Sequence, residues 1–148
     1  MPILSKPPQD GAINYNEARF PLVTIEFVGA CSDEQFEEYL AKMRATTQRA
    51  EEQGKRYVIV VDTLQATRAV TAHQRKRQAE EMTENLRISR TAIAGMVFVI
   101  NNPVVRGVLT AILWLQGMEW DYDVVRTRAE GDAWALQRVS GGFGQTGG

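Results

Sequence analysis

The chain has 148 residues, 44% of them hydrophobic and 24% charged, a size and composition that suit one compact domain with a real core and exclude two. Its 17 Lys and Arg balance 18 Asp and Glu to a net charge of −1, and no dense basic stripe alternates with aromatics, so the electrostatic footprint of nucleic-acid binding is missing. The single cysteine, Cys31, excludes an internal disulfide, no signal-peptide pattern opens the chain, and the longest apolar tract, Val104 to Leu115, is broken by Arg106 and Gly107; the expectation is a cytoplasmic protein with no membrane span.

Residues 1–11, MPILSKPPQDG, hold three of the five prolines and read as a flexible extended arm, because proline fixes φ and withholds a backbone donor. Ala12 to Asn16 and Leu22 to Gly29 are strand-like, and the short NEARFP connection between them suits an antiparallel hairpin. Ser32 with Gln35 matches a capping box. The helix it opens carries Phe36, Leu40, Met43, Thr47 and Ala50 as its buried stripe, and Gly54 is placed to stop it.

Arg56 to Arg77 organises the rest. Tyr57 to Val61 is a continuous β-branched run closed by Asp62, the pattern of a central strand covered on both faces. A second helix, about Ala72 to Ile88, follows Thr71 as N-cap, with only Ala79, Met82 and Leu86 for a thin apolar stripe. Its charges oppose its dipole: His73, Arg75, Lys76 and Arg77 come first, and Glu80, Glu81 and Glu84 later. Either pairs of the type Lys76 to Glu80 and Arg77 to Glu81 offset that placement, or a partner uses it.

Ala94 to Ile100 is another buried strand, and Pro103 opens a helix that Gly117 ends. Val105, Leu109, Ile112 and Trp114 on one side of that helix leave Val104, Val108, Leu113 and Leu115 to spread apolar surface over the others. Such a surface is covered by the closing helix or the proline-rich arm, or it forms a homodimer interface. Tyr122 to Arg126 forms a last strand; Thr127 and Glu130 make a second capping box, for a closing helix with Ala133, Trp134, Leu136 and Val139 inward. Residues 141–148 are a flexible glycine-rich tail. The order ββαβαβαβα predicts an α/β domain over residues 12–140, with a mixed, mostly parallel five-stranded sheet and about four helices.

The chemistry at the carboxyl end of the central strand is open to two readings at each residue. Asp62 suits a partner's donors or the capping of the next turn, and Arg68, Arg75 and Lys76 suit an anion or a solvated basic edge. His73, the only histidine, has no recognisable nucleophile beside it, Cys31 reads as a small buried thiol, and no metal-ligand spacing or cofactor motif occurs. Trp114, Trp120 and Trp134 read as core or interface anchors.

The element order, with its short central strand ending in Asp62 and a helix opening at its carboxyl end, resembles the STAS domain of bacterial anti-sigma factor antagonists over about residues 12–140. VRGVLTAILWL followed by EGDAW is similar to the signature of the SpoIIAA-like branch, which is also related in appearance to CRAL-TRIO lipid-binding domains. The resemblance implies a regulatory protein-binding module without catalysis and without a cofactor, whose partner is a regulatory kinase or another signalling protein. It implies docking through Asp62, Thr63, Arg68, His73 and Arg75, with Thr71 in the place of the phosphoacceptor hydroxyl. The tract AVTAHQRK lacks the acid before and the glycine after that hydroxyl which the family motif carries. The alternative is a carrier or sensor of a small apolar or lipid ligand held beneath the helix that Pro103 opens.

Overall fold

A computed structural model describes residues 11–67, 70–85, 90–104, 106–107 and 120–141. The elements are β1 (Ala12–Arg19), β2 (Leu22–Gly29), α1 (Asp33–Glu52), β3 (Tyr57–Ala66), α2 (Ala72–Glu84), β4 (Ile93–Val99), β5 (Asp121–Val125) and α3 (Arg128–Gly141). The five strands lie in the sheet in chain order, β1 antiparallel to β2 and every other neighbouring pair parallel. This is the α/β class and mixed sheet that the alternation predicts. Between β4 and β5, Pro103, Val104, Arg106 and Gly107 are helical, where the proline-led helix is expected. Of the apolar surface expected on that helix, Val108, Leu113 and Leu115 lie outside the described residues, as does Arg68.

The period of two along β3 divides the core. Tyr57, Ile59 and Val61 join Phe36, Tyr39, Leu40 and Ala50 of α1 in the larger cluster, whereas Val58 and Val60 join Ala135 of α3 in the smaller. Both faces of β3 are thus covered, and each of its fully buried valines and isoleucines contributes about 1.5–3 kcal/mol. α3 comes close to the sheet because Gly131 and Gly95 leave room: a Cβ at Gly131 would sit 2.7 Å from Cγ2 of Val99, and one at Gly95 2.8 Å from Cη2 of Trp134. This approach corrects the expected inner face of the closing helix. Gly131 and Ala135, one turn apart, face the strands with Trp134 and Val139 beside them, and Ala133 and Leu136 are exposed.

Three boundaries differ by three residues or more from those the sequence pattern predicts. β1 continues to Arg19, β3 runs four residues past Asp62 to Ala66, and α2 ends at Glu84 with Asn85 as C-cap; Leu86 and Ile88 of the expected helix lie outside the described residues. Beyond Asp62, β3 pairs with β2 alone, through Gln65 opposite Val28 and Ala66 opposite Gly29. α1 keeps its predicted capping box and its stop, Gly54 having a φ of +66°, but it also buries Tyr39 and Thr46.

Three tyrosine hydroxyls are enclosed with partners. Tyr15 donates to Thr46 Oγ1 at 2.6 Å, Tyr39 to Gln78 Oε1 at 3.1 Å, and the Tyr57 hydroxyl and Thr47 Oγ1 are 2.6 Å apart. Burial pushes the Tyr15 phenol up to about 12 and raises those of Tyr39 and Tyr57 as well. The unfolded chain gives up these protons near the ordinary value of 10.0, so it binds fewer protons than the folded chain above that pH. Stability is therefore expected to be intact below pH about 10 and to fall as pH rises towards 12. In an alkaline titration, tyrosinate absorbance from Tyr15, Tyr39 and Tyr57 should appear late, in a step that coincides with loss of helical circular dichroism; ionisation of these three ahead of unfolding would contradict this.

Candidate functional site at the carboxyl edge of the sheet

Because β2 to β5 are parallel, the chain leaves each of them at the same edge of the sheet and enters a helix there. The edge is stepped. β4 and β5 end level with Asp62, and β3 with β2 projects about 13 Å further, four residues at strand rise.

Three helix openings on this edge are closed by their own side chains. Ser32 Oγ accepts from Gln35 N at 3.1 Å while Gln35 Oε1 accepts from Ser32 N at 2.9 Å. Thr71 and Gln74 make the same reciprocal pair, both bonds at 3.1 Å, and so do Thr127 and Glu130, at 3.1 and 3.2 Å. Hydrogen bonds from the Arg126 and Thr127 backbone hold the Glu130 carboxyl below the usual range. At each of these helix starts the box engages two of the backbone donors, those of the N-cap and N3 residues, that could otherwise face a phosphate.

Thr71 is thus the N-cap of α2. Thr71→Ala is expected to cost about 0.5–2 kcal/mol in urea unfolding, with Thr71→Asp recovering most of it, since aspartate retains a capping oxygen.

Gln74, absent from the residues that the sequence pattern singles out, is the centre of this corner. It is 2% exposed; its Nε2 donates to Cys31 O at 3.3 Å and to Asp33 Oδ1 at 3.1 Å, tying the opening of α2 to that of α1. The signal was present, for Thr71 and Gln74 have the same spacing as Ser32 and Gln35. What sequence could not display is that this capping glutamine is buried against a second helix. Cys31 is buried beside it, its Sγ 3.9 Å from Gln74 Oε1.

The other expected site residues are not one cluster. Alternation along β3 turns Asp62 to the α3 side, where it is 4% exposed and its Oδ2 accepts from Arg128 Nη1 at 2.9 Å; its Oδ1 accepts from Leu64 N at 2.9 Å. Desolvation works against the Arg128 guanidinium, but hydrogen bonds to Asp132 and Asp62 outweigh it and hold its pKa above the ordinary arginine value. Of the two roles open to Asp62, the local one is occupied. Thr63 donates to Val99 O at 2.8 Å and closes the end of β4. Arg75 is half-buried and donates to Val70 O at 3.1 Å, steadying the entry to α2, and His73 is exposed. Val104, 69% exposed, stands on the same edge with exposed Asn101, Asn102 and Pro103 around it.

The charges of α2 are met across the helix pair more than along α2. Arg77 bonds Glu37 of α1 at 2.7 and 3.0 Å and Glu80 at 2.9 Å, whereas Glu81 takes both arms of Arg44, at 2.6 and 2.7 Å. The expected Arg77 to Glu81 pairing is replaced because Glu81 faces α1 and is buried.

Compared with known proteins, the chain matches no family model, no curated protein and no solved structure. Among the described residues no helix is long and apolar enough to cross a membrane.

Proposed function

We propose that the chain is a regulatory protein-binding module of the STAS, SpoIIAA-like kind, which acts by docking a partner protein on the carboxyl edge of its sheet. The observation that carries this reading is the make-up of that edge. Three of its helix openings carry capping boxes, and what it offers outward is a polar rim holding His73, Lys76, Asn101, Asn102 and Arg126 with the exposed apolar Val104 among them. An exposed anchor with a polar rim suits protein contact. Asp62 supports the edge from inside, and His73, Arg75 and Thr63 frame it.

The variant His73→Glu with Val104→Glu alters two exposed side chains and should keep the wild-type melting temperature. In capture from an extract of the native cells, the wild type should retain a protein that this variant loses; equal capture by both removes the docking edge. A second reading, an enclosed small apolar ligand, has one observation in its favour: Trp120 Nε1 is buried with no acceptor among the described residues, and a buried donor calls for one. Mass spectrometry of organic extracts from the same captured protein tests it, since a carrier retains a stoichiometric small molecule bearing an acceptor oxygen, and Trp120→Phe weakens that retention.

A further inference from the structure

α2 is attached to the fold differently from the other helices. α1 buries Phe36, Leu40 and Ala50, and α3 lays Gly131 and Ala135 on the strands, but the buried residues of α2 are Gln74 and Glu81, both polar. Its Met82 reaches the larger core only half-buried. A row of polar bonds to α1 and its opening holds α2 instead: Gln74 to Cys31 O and Asp33, Gln78 from Tyr39, Arg77 to Glu37, and Glu81 from Arg44. Pulling an apolar helix from a core forfeits its hydrophobic burial in full. Polar partners, by contrast, exchange protein for water at small net cost, and exposed ion pairs contribute little. α2 therefore belongs among the segments that open below the global unfolding free energy.

We infer that α2 lifts from α1 as a unit while the sheet stays folded, a conformational device that uncovers Cys31 and the Tyr39 side of α1 next to the carboxyl edge. The inference is independent of what docks on that edge. It differs from ordinary fraying because the polar row runs from Gln74 to Glu81, so its bonds release together.

The test uses the full chain. Alkylation of its one cysteine, Cys31, by iodoacetamide and amide hydrogen exchange of α2 are followed in increasing urea, with β3 and β4 amides as the reference for global unfolding. Expected are Cys31 labelling and α2 exchange with the same urea dependence, shallower than that of β3 and β4, since less surface is exposed when one helix lifts. Added salt should speed both by screening the ion pairs. Glu81→Gln, which leaves Arg44 without its carboxylate, should speed both about tenfold and β3 and β4 amides by no more than the same factor, since global unfolding breaks the same pair, so that α2 still opens ahead of the sheet. Cys31 labelling or α2 exchange that follows the steep dependence of β3 overturns the inference, and so does fast labelling of Cys31 under a protected α2. Should Glu81→Gln fail to fold, the urea dependence of the wild type alone decides between lifting and global unfolding.

Discussion

Arg128→Ala is expected to cost about 1–3 kcal/mol, because it leaves the Asp62 carboxylate, whose side chain is 6% exposed, under α3 without its cation, a loss held below that of a fully buried pair by the exposure of Arg128. Asp62→Asn should cost much less, since an asparagine oxygen still accepts from Leu64 N and no charge is left buried. The inequality is the informative part. Arg128 also pairs with Asp132, but both groups are about two-fifths exposed, so that bond contributes little and Asp132→Ala should be near neutral. The combination Arg128→Ala with Asp62→Asn should recover about half or more of the loss caused by Arg128→Ala alone. Urea unfolding of the four variants measures all of this, and an Arg128→Ala loss under about 1 kcal/mol, or no recovery in the double variant, would show that Asp62 is not held by this cation.

Gln74→Ala is expected to remove about 2–4 kcal/mol, a fall of about 10 °C in melting temperature for a chain of this size. The change opens a cavity where a side chain is 2% exposed and deprives Thr71 N, Cys31 O and Asp33 of their partner in one step. Gln74→Glu separates shape from bonding. It conserves volume, yet it replaces the donor that faces Cys31 O and Asp33 Oδ1 by an acceptor, so it should be at least as damaging as Gln74→Met, which fills the space with no polar atom. If Gln74→Glu proves harmless in thermal unfolding, Nε2 is not the atom that binds the two helix openings together. Loss of this corner should also displace His73 and Arg75, so capture of a partner by Gln74→Ala is expected to weaken even in the folded fraction.

Much of the fold was legible in the chain because its local signals agree with its tertiary ones. The unbroken run from Tyr57 to Val61 has the pattern of a strand covered twice, and two clusters, one on each face, cover it. Ser32 with Gln35 and Thr127 with Glu130 announced two helix starts through a chemistry confined to four consecutive residues, which needs no distant partner. The antiparallel opening hairpin and the alternation after it were enough for the class of sheet.

The candidate site was legible by position and misread in its details, and the cause is the same at each residue. Asp62 reads as a polar end to an apolar run, but its carboxylate is taken by a cation 66 positions away, Arg128, and β3 continues to Ala66 through pairing with β2. Glu81 reads as the i+4 mate of Arg77, but Arg44 on another helix takes it, because the crossing of α1 and α2 places that guanidinium closer than the local one. The inner face of α3 shifted for a packing reason: Gly131 and Ala135 allow approach to Val99 that the larger Leu136 would prevent, and hydrophobic periodicity does not weigh the absence of a side chain. The sequence by itself thus determined which segments become strands and helices and where the helices begin, through bonds made within a few residues. Only the tertiary structure decided which polar groups are buried, with whom they pair and which remain at the surface, because those outcomes are set by contacts between residues far apart in the chain.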